Sequence, residues 1–226
     1  MRDYTEGMIL PSKNGGLFKI LKINSYMNVE IEFMIILKFK MTTNLTNARR
    51  GTVGNPYAIS CCGVGFIGET DGLITTNTPA YKVWSSMLTR CYKDCYIGAK
   101  SYLDVTVNET WHNFTNFERW FRTSPRQKGY QLDKDILVEG NKEYSQDSCC
   151  FVPKEVNSFF SQRHHKNSKS GYAGVLRHKR DDLWVALDGK VYTKNLDEAV
   201  LAQKKFRVAL AEKLYNEYNG LLTHAC

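Results

Sequence analysis

The sequence lacks any apolar run able to cross a bilayer. Its longest, Phe33–Leu37, falls far short of the roughly 20 residues that a spanning helix needs. A secretory leader is missing as well, since Arg2, Asp3 and Glu6 precede any apolar segment; a soluble, cytoplasmic protein is expected. A disulfide framework is excluded by the cysteines themselves. They number seven, an odd count, and Cys61-Cys62 and Cys149-Cys150 are adjacent pairs, a poor geometry for bridging. Reduced thiols are the simpler account. The glycines of Cys62–Gly68 come without the G-K-[ST] of a phosphate loop and read as turn glycines of a small β domain.

Acidic side chains are also in deficit. Asp and Glu total 23 against 31 Lys and Arg, a formal net charge of +8 with an isoelectric point near 9.0. Such a balance favours an acidic partner, of which nucleic acid is the commonest, although a basic face also suits an anionic protein surface. With 226 residues, 42% hydrophobic and 24% charged, the chain is an ordinary folded protein with room for one large or two to three small domains.

Residues 1–70 read as short strands. Gly15-Gly16 makes a turn, Leu17–Ile23 alternates around Lys19 and Lys22, and Val29–Phe39 is a candidate strand pair, with Asn44–Asn47, Gly51, Gly54 and Pro56 as punctuation. Residues 78–126 read as helical. Thr78 or Thr76 caps a helix whose stripe is Tyr81, Trp84, Met87, Leu88 and Cys91, and a second helix carries Trp111, Phe114, Phe117, Trp120 and Phe121 beyond a strand-like Leu103–Val107. These aromatics are most simply core. Cys91, Cys95, Cys149 and Cys150 lack the tight knuckle spacing of a zinc site, so ordinary buried thiols are expected and zinc is not.

A strand is expected over Gln131–Val138, with Leu132, Ile136 and Val138 inward and Asp133, Lys134 and Asp135 near an exposed edge. A turn follows at Glu139-Gly140-Asn141, and Ser145–Asp147 opens a short helix or loop. Residues 161–170 form a polar linker without an acid, carrying Arg163, the pair His164-His165, Lys166 and Lys169. Beyond it, Gly171–Leu176, Leu183–Leu187 and Lys190–Thr193 read as three strands, with Asp188-Gly189 a type I′ hairpin signal. A helix begins near Asn195, capped by Asn195 or Asp197, with the stripe Leu196, Ala199, Val200, Phe206, Leu210 and Leu214.

Leu132-Asp133-Lys134, Gly140-Asn141 and Tyr144-Ser145-Gln146-Asp147-Ser148-Cys149 with Phe151 resemble the core of phage and bacterial HNH-type endonucleases. The aromatic series Tyr81, Trp84, Met87, Arg90, Cys91, Tyr92, then Val107, Trp111, Phe114, Phe117 and Trp120, resembles what precedes that core in the family. The resemblance implies a ββα-metal-like core, Asp133 as the metal carboxylate, Mg²⁺ as cofactor, and Asp133, Lys134, Asp135 and Ser148 as the catalytic set. Two positions depart from the pattern: Lys134 stands where a histidine base is usual, and Ser148 where an asparagine ligand is usual. A hydroxyl is a weaker ligand for hard Mg²⁺ than a charged or carbonyl oxygen. An ammonium with a pKa of about 10 is a poor base at neutral pH.

Gly171-Tyr172, Gly174-Val175, Trp184, Ala186, and Asp197-Glu198-Ala199 with Ala202 resemble the APETALA-type (ethylene-response-factor) DNA-binding domain. In that family the outer face of a small sheet lies in the major groove. Leu176 and His178 take its first two arginine positions here. The resemblances together span most of residues 78–219. They imply an α+β protein: a small β module over 1–72, the degenerate core over 73–160, a basic linker over 161–170, and a three-stranded sheet plus helix over 171–226. Double-stranded DNA is the implied partner, contacted by Arg163, Lys166, Lys169, Arg177, His178, Lys179, Arg180, Trp184 and Lys190. Two activities stay open: a metal-dependent DNA nickase or endonuclease, and an inactive descendant that binds DNA or a host protein in the host cytoplasm.

Overall fold

The computed structural model describes residues 4–34, 38–69, 77–93, 102–126, 128–161 and 169–222. The chain is an α+β protein in two compact units, Met1–Arg122 and Thr123–Cys226.

In the first unit, strands β1 (Ile9–Pro11), β2 (Leu17–Ser25), β3 (Asn28–Phe33) and β4 (Lys40–Thr43) form an antiparallel sheet in chain order. Strand alternation selects its buried face. Phe18 pairs with Phe33 and Ile20 with Ile31, and all four are fully buried, while Lys19 and Glu30 stay exposed. A register shift between Ile20 and Lys22 reverses the phase, so Ile23 returns to pack against the core, as a bulge does. Over the expected Val29–Phe39 strand pair, β3 ends at Phe33 and the chain returns toward β4, the Phe39 carbonyl accepting from Phe33 N at 2.8 Å, while residues 35–37 lie outside the described set.

Asn44–Asn47 and Gly51 are more than punctuation, because they bound helix α1 (Leu45–Arg50). Asn44 Oδ1 accepts from Asn47 N at 2.8 Å, and Gly51 closes the helix with φ 63°. Ala48 buries beneath it. A Cβ on Gly51 would stand 2.5 Å from the Pro11 carbonyl oxygen.

Helix α2 (Pro79–Tyr92) starts where the sequence signals it, with Thr78 accepting from Tyr81 N at 3.2 Å and proline in the first turn. Trp84, Met87 and Leu88 are buried. Of the expected Leu103–Val107 strand only β5 (Thr106–Val107) forms, and Leu103 is exposed. A 3-10 turn, Glu109–His112, leads into α3 (Phe114–Thr123). The aromatic series is core: Trp84 Nε1 donates to the Trp111 carbonyl at 2.7 Å, with Trp111 and Phe117 edge to face at 5.1 Å.

Gly63, Gly65 and Gly68 have the spacing of a dinucleotide fingerprint, but the segment is a tight turn and bridge. It is not the strand-to-helix junction that gives that spacing meaning. Gly65 lies flat on α2, where a Cβ would meet Leu88 Cδ1 at 2.5 Å.

In the second unit, β6 (Gln131–Asp133) pairs antiparallel with β8 (Cys150–Val152), Leu132 opposite Phe151 and Asp133 opposite Cys150. The chain between them carries the two-residue strand β7 (Glu143–Tyr144), and helix α4 (Lys154–Ser161) follows. Strands β9 (Leu176–Arg177), β10 (Trp184–Ala186) and β11 (Val191–Thr193) form the second antiparallel sheet, with β10 central. The Asp188-Gly189 signal sets the register, Ala186 opposite Val191. The turn itself is a 3-10 turn over Leu187–Gly189 rather than type I′, with Leu187 at φ 55° and Gly189 at φ 90°. Ser170 belongs to this fold and not to a linker: it is buried and its hydroxyl donates to the Val175 carbonyl at 2.6 Å.

Helix α5 (Leu196–Leu222) runs 27 residues. Asn195 caps it, accepting from Asp197 N at 2.8 Å. Its first half packs Ala199 and Val200 against Val175 and Ala186 of the sheet. Its second half packs Leu210, Leu214 and Tyr218 against Cys150, Val152, Val156, Ile136 and Phe159. Between the two cores the apolar stripe fails at Phe206, which is 42% exposed. Gln203 is buried instead, its Oε1 accepting from Leu187 N at 3.0 Å.

Gly51→Ala forces a side chain into left-handed backbone against Pro11. The expected cost is about 2 kcal/mol, read as a lowered urea midpoint with an unchanged slope.

Candidate functional site

The strand expected over Gln131–Val138 stops at Asp133 for a local reason. Asp133 Oδ1 accepts the backbone N–H of Asp135 at 2.7 Å and of Ile136 at 2.8 Å. These bonds fold the chain into a turn where a ladder would otherwise continue. Ile136 is half-buried and Val138 is exposed, so the inward set expected of a strand holds for Leu132 and fails at Val138.

Lys134 is not at an exposed edge, being only 7% exposed. Its ammonium donates to Asp135 Oδ1 at 2.7 Å and to the Asn141 carbonyl. A buried ammonium needs such partners, since stripping its water without replacing it costs several kcal/mol. Asn141 completes the lock, its Nδ2 donating to the carbonyls of Lys134 at 2.9 Å and Glu143 at 2.6 Å, and its Oδ1 accepting from Glu143 N at 3.0 Å. The Ser148 hydroxyl donates to the Glu143 carbonyl at 2.9 Å and lies 2.8 Å from Ser145 Oγ. Ser145–Asp147 contributes no helix; Cys149 N donates back to the Ser145 carbonyl at 3.1 Å. Cys149 is buried, and burial pushes its thiol up to about 12.

The structure thus links Lys134, Asp135 and Ser148 in one network through Asn141 and Glu143. That network holds the loop shut. Asp133 has one carboxylate oxygen engaged by backbone donors, the Ser148 hydroxyl donates to the Glu143 carbonyl, and the Lys134 ammonium lies against the Asp135 carboxylate. Among the described residues, no three His, Cys, Asp or Glu side chains cluster; Cys95 lies outside the described set.

The carboxyl-terminal sheet has two unlike faces. Cross-strand partners share a face, and Arg177, Trp184 and Thr193 are partners. Trp184 packs into the core beneath α5, so this row lies on the helix side. Arg177 stacks on the Trp184 ring at 4.6 Å and donates to Asp182 Oδ1 at 2.8 Å. That guanidinium holds the Asp182 carboxyl below its ordinary range. The other face carries Leu176, Val185 and Tyr192, with Leu176 57% and Tyr192 53% exposed. The His178 ring meets Tyr192 edge-on at 6.0 Å, and its Nδ1 lies 3.0 Å from Asp181 Oδ2. Lys190 closes the turn ahead of β11, and Lys179, Arg180 and Lys190 are all exposed.

The cationic row expected of this sheet therefore divides. Arg177 and Trp184 lie on the inner side, His178 meets Tyr192 of the outer face, and Lys179, Arg180 and Lys190 are exposed in the turns between strands. Lys169 is exposed beside Ser170, and Arg163 and Lys166, with the His164-His165 pair, lie outside the described residues. Tyr192, which sequence reasoning passed over, lies on the open face along the edge strand β11, opposite Val185 of the central strand; the alternation of Val191-Tyr192-Thr193 about the hairpin signal was enough to place it.

Fold and site together define an α+β protein with a strand–loop–strand–helix segment and a three-stranded sheet covered on one side by a long helix. No protein family, curated protein or solved structure matches the chain. No described helix is long and apolar enough to cross a membrane.

Asn141→Ala removes three hydrogen bonds from the loop: the Lys134 carbonyl and the Glu143 N–H each lose their Asn141 partner, and the Glu143 carbonyl keeps only its bond from Ser148 of the two. The expected loss is about 2–3 kcal/mol, measured by urea denaturation, with faster proteolysis inside 134–148.

Proposed function

We infer that the protein binds double-stranded DNA through the open face of its carboxyl-terminal sheet and leaves the strands uncut. One observation carries the reading: a sheet face that presents Leu176, Val185 and Tyr192, with His178 against Tyr192 and exposed Lys179, Arg180 and Lys190 in the adjoining turns. Sheets presented this way enter DNA grooves, with flanking cations taking the phosphates. The net charge of +8 supports it. The likeness to APETALA-type domains supports it too, and Leu176 and His178 in place of arginines point to contacts that are mainly electrostatic and apolar. The segment over 131–161 keeps the strand–loop–strand–helix order that the HNH resemblance implies, in keeping with a phage-type protein. The internal bonding of Asp133, Lys134 and Ser148 supports an inactive descendant in which that segment is a scaffold.

A metal-dependent nickase is the second reading, favoured by the half-buried Asp133 carboxylate at the strand end. Plasmid incubated with Mg²⁺ or Mn²⁺ separates the two: equal, background nicking by wild type and Asp133→Ala is expected, and nicking that Asp133→Ala abolishes restores the enzyme.

Duplex affinity, followed by fluorescence anisotropy, is expected to fall roughly 100-fold between 50 and 200 mM salt, as release of about four counterions requires. Lys179→Glu with Arg180→Glu is expected to weaken binding at least tenfold at low salt. Affinity that ignores salt, or no duplex binding, would transfer the same face to a host protein partner.

A further inference from the structure

Successive side chains of an extended strand point to opposite sides, and so adjacent cysteines normally hold their thiols apart. Cys61 and Cys62 do not. Cys61-Cys62-Gly63-Val64 is a reverse turn closed by Val64 N donating to the Cys61 carbonyl at 3.2 Å, with Cys62 at φ 50° and Gly63 at φ 76°. Left-handed backbone costs a residue with a Cβ about 1 kcal/mol, and here it turns the Cys62 side chain back toward its neighbour. The two Sγ atoms come to 3.8 Å, and Thr89 Oγ1 of α2 stands 3.5 Å from Cys62 Sγ. The turn is held from both ends, by Gly65 N to the Cys61 carbonyl at 2.8 Å and Cys61 N to the Gly65 carbonyl at 3.0 Å. Gly65 is seated on Trp84 and Leu88.

We propose that Cys61 and Cys62 are a vicinal dithiol that chelates a single thiophilic centre, a trivalent arsenical. The spacing fits. The two Sγ atoms stand 3.8 Å apart in the free protein, and bonding both to one pyramidal centre asks only that they close by a few tenths of an ångström. Both thiols are half-buried, reachable yet fixed. The chemistry also favours chelation over oxidation. Burial and the neighbouring Cys62 push the Cys61 thiol up to about 12, and peroxide or disulfide attack requires the thiolate. Condensation with an arsenoxide takes two neutral thiols: two As–S bonds form, the As–O bonds break, the two thiol protons leave with that oxygen as water, and no oxidation state changes.

The test uses phenylarsine oxide on the reduced full chain in excess monothiol, which removes single-thiol adducts. Capture of one arsenical per chain, with the loss of two titratable thiols and reversal by 2,3-dimercaptopropanol, is expected. Cys61→Ser and Cys62→Ser should each weaken capture about 100-fold, as loss of the second, intramolecular bond requires, while Cys149→Ser leaves it unchanged. Mass mapping of the wild-type adduct supplies a readout that does not depend on any variant folding, and the arsenical should sit on the peptide holding Cys61 and Cys62. No monothiol-resistant capture, capture retained in either serine variant, or an adduct mapped to other cysteines overturns the proposal.

Discussion

The carboxyl-terminal unit depends on one helix being buried twice along the same side. Neither the β6–β8 pair with α4 nor the three short strands β9–β11 has enough apolar surface to stand alone, as pieces of this size seldom do. Helix α5 supplies the missing wall to both, Ala199 and Val200 to the sheet and Leu210 and Leu214 to Val152 and Val156. Gln203 marks the change from one core to the other. It needs a partner because it is buried, and the Leu187 backbone N–H, at the sheet turn, provides it. Arg207 anchors the second core, its guanidinium 4.3 Å above the Phe159 ring.

That arrangement decides which side of the sheet is open to a partner. Once α5 claims the inner face, Trp184 and Arg177 become packing residues, however attractive an arginine beside a tryptophan looks for DNA. The residues left outside are Leu176, Val185 and Tyr192, with the His178 ring against Tyr192.

The acidic loop follows a similar logic. Its charged residues look like machinery when written in a line, but the folded loop uses them for its own closure. Asp133 stops a strand, Lys134 is drawn under the loop by Asp135 and the Asn141 carbonyl, and Ser148 seals the far side through Glu143. An ammonium so placed stabilises one loop conformation and gives up its freedom to act as a base.

Much of this was written in local pattern. Alternation placed Phe18, Ile20, Val29 and Ile31 on one face; helical spacing placed Trp84, Met87 and Leu88; Thr78 and Asn195 announced their helices; and Asp188-Gly189 set the hairpin register even though its turn took another form. These features depend on a few neighbouring residues, and a period of 2 or 3.6 carries them. Other features depended on partners distant in sequence or on backbone that no pattern encodes. Lys134 was read as exposed because its partners come from a loop closing seven residues later. Phe206 was read as buried because the stripe gave no sign of two separate cores. Cys61 and Cys62 were read only as a poor disulfide pair because nothing in the letters announces a left-handed cysteine. The sequence by itself determined which elements form and which of their faces are apolar. Only the tertiary structure decided which polar groups find each other, because that choice is made by the non-local approach of backbone donors and acceptors that every sequence shares.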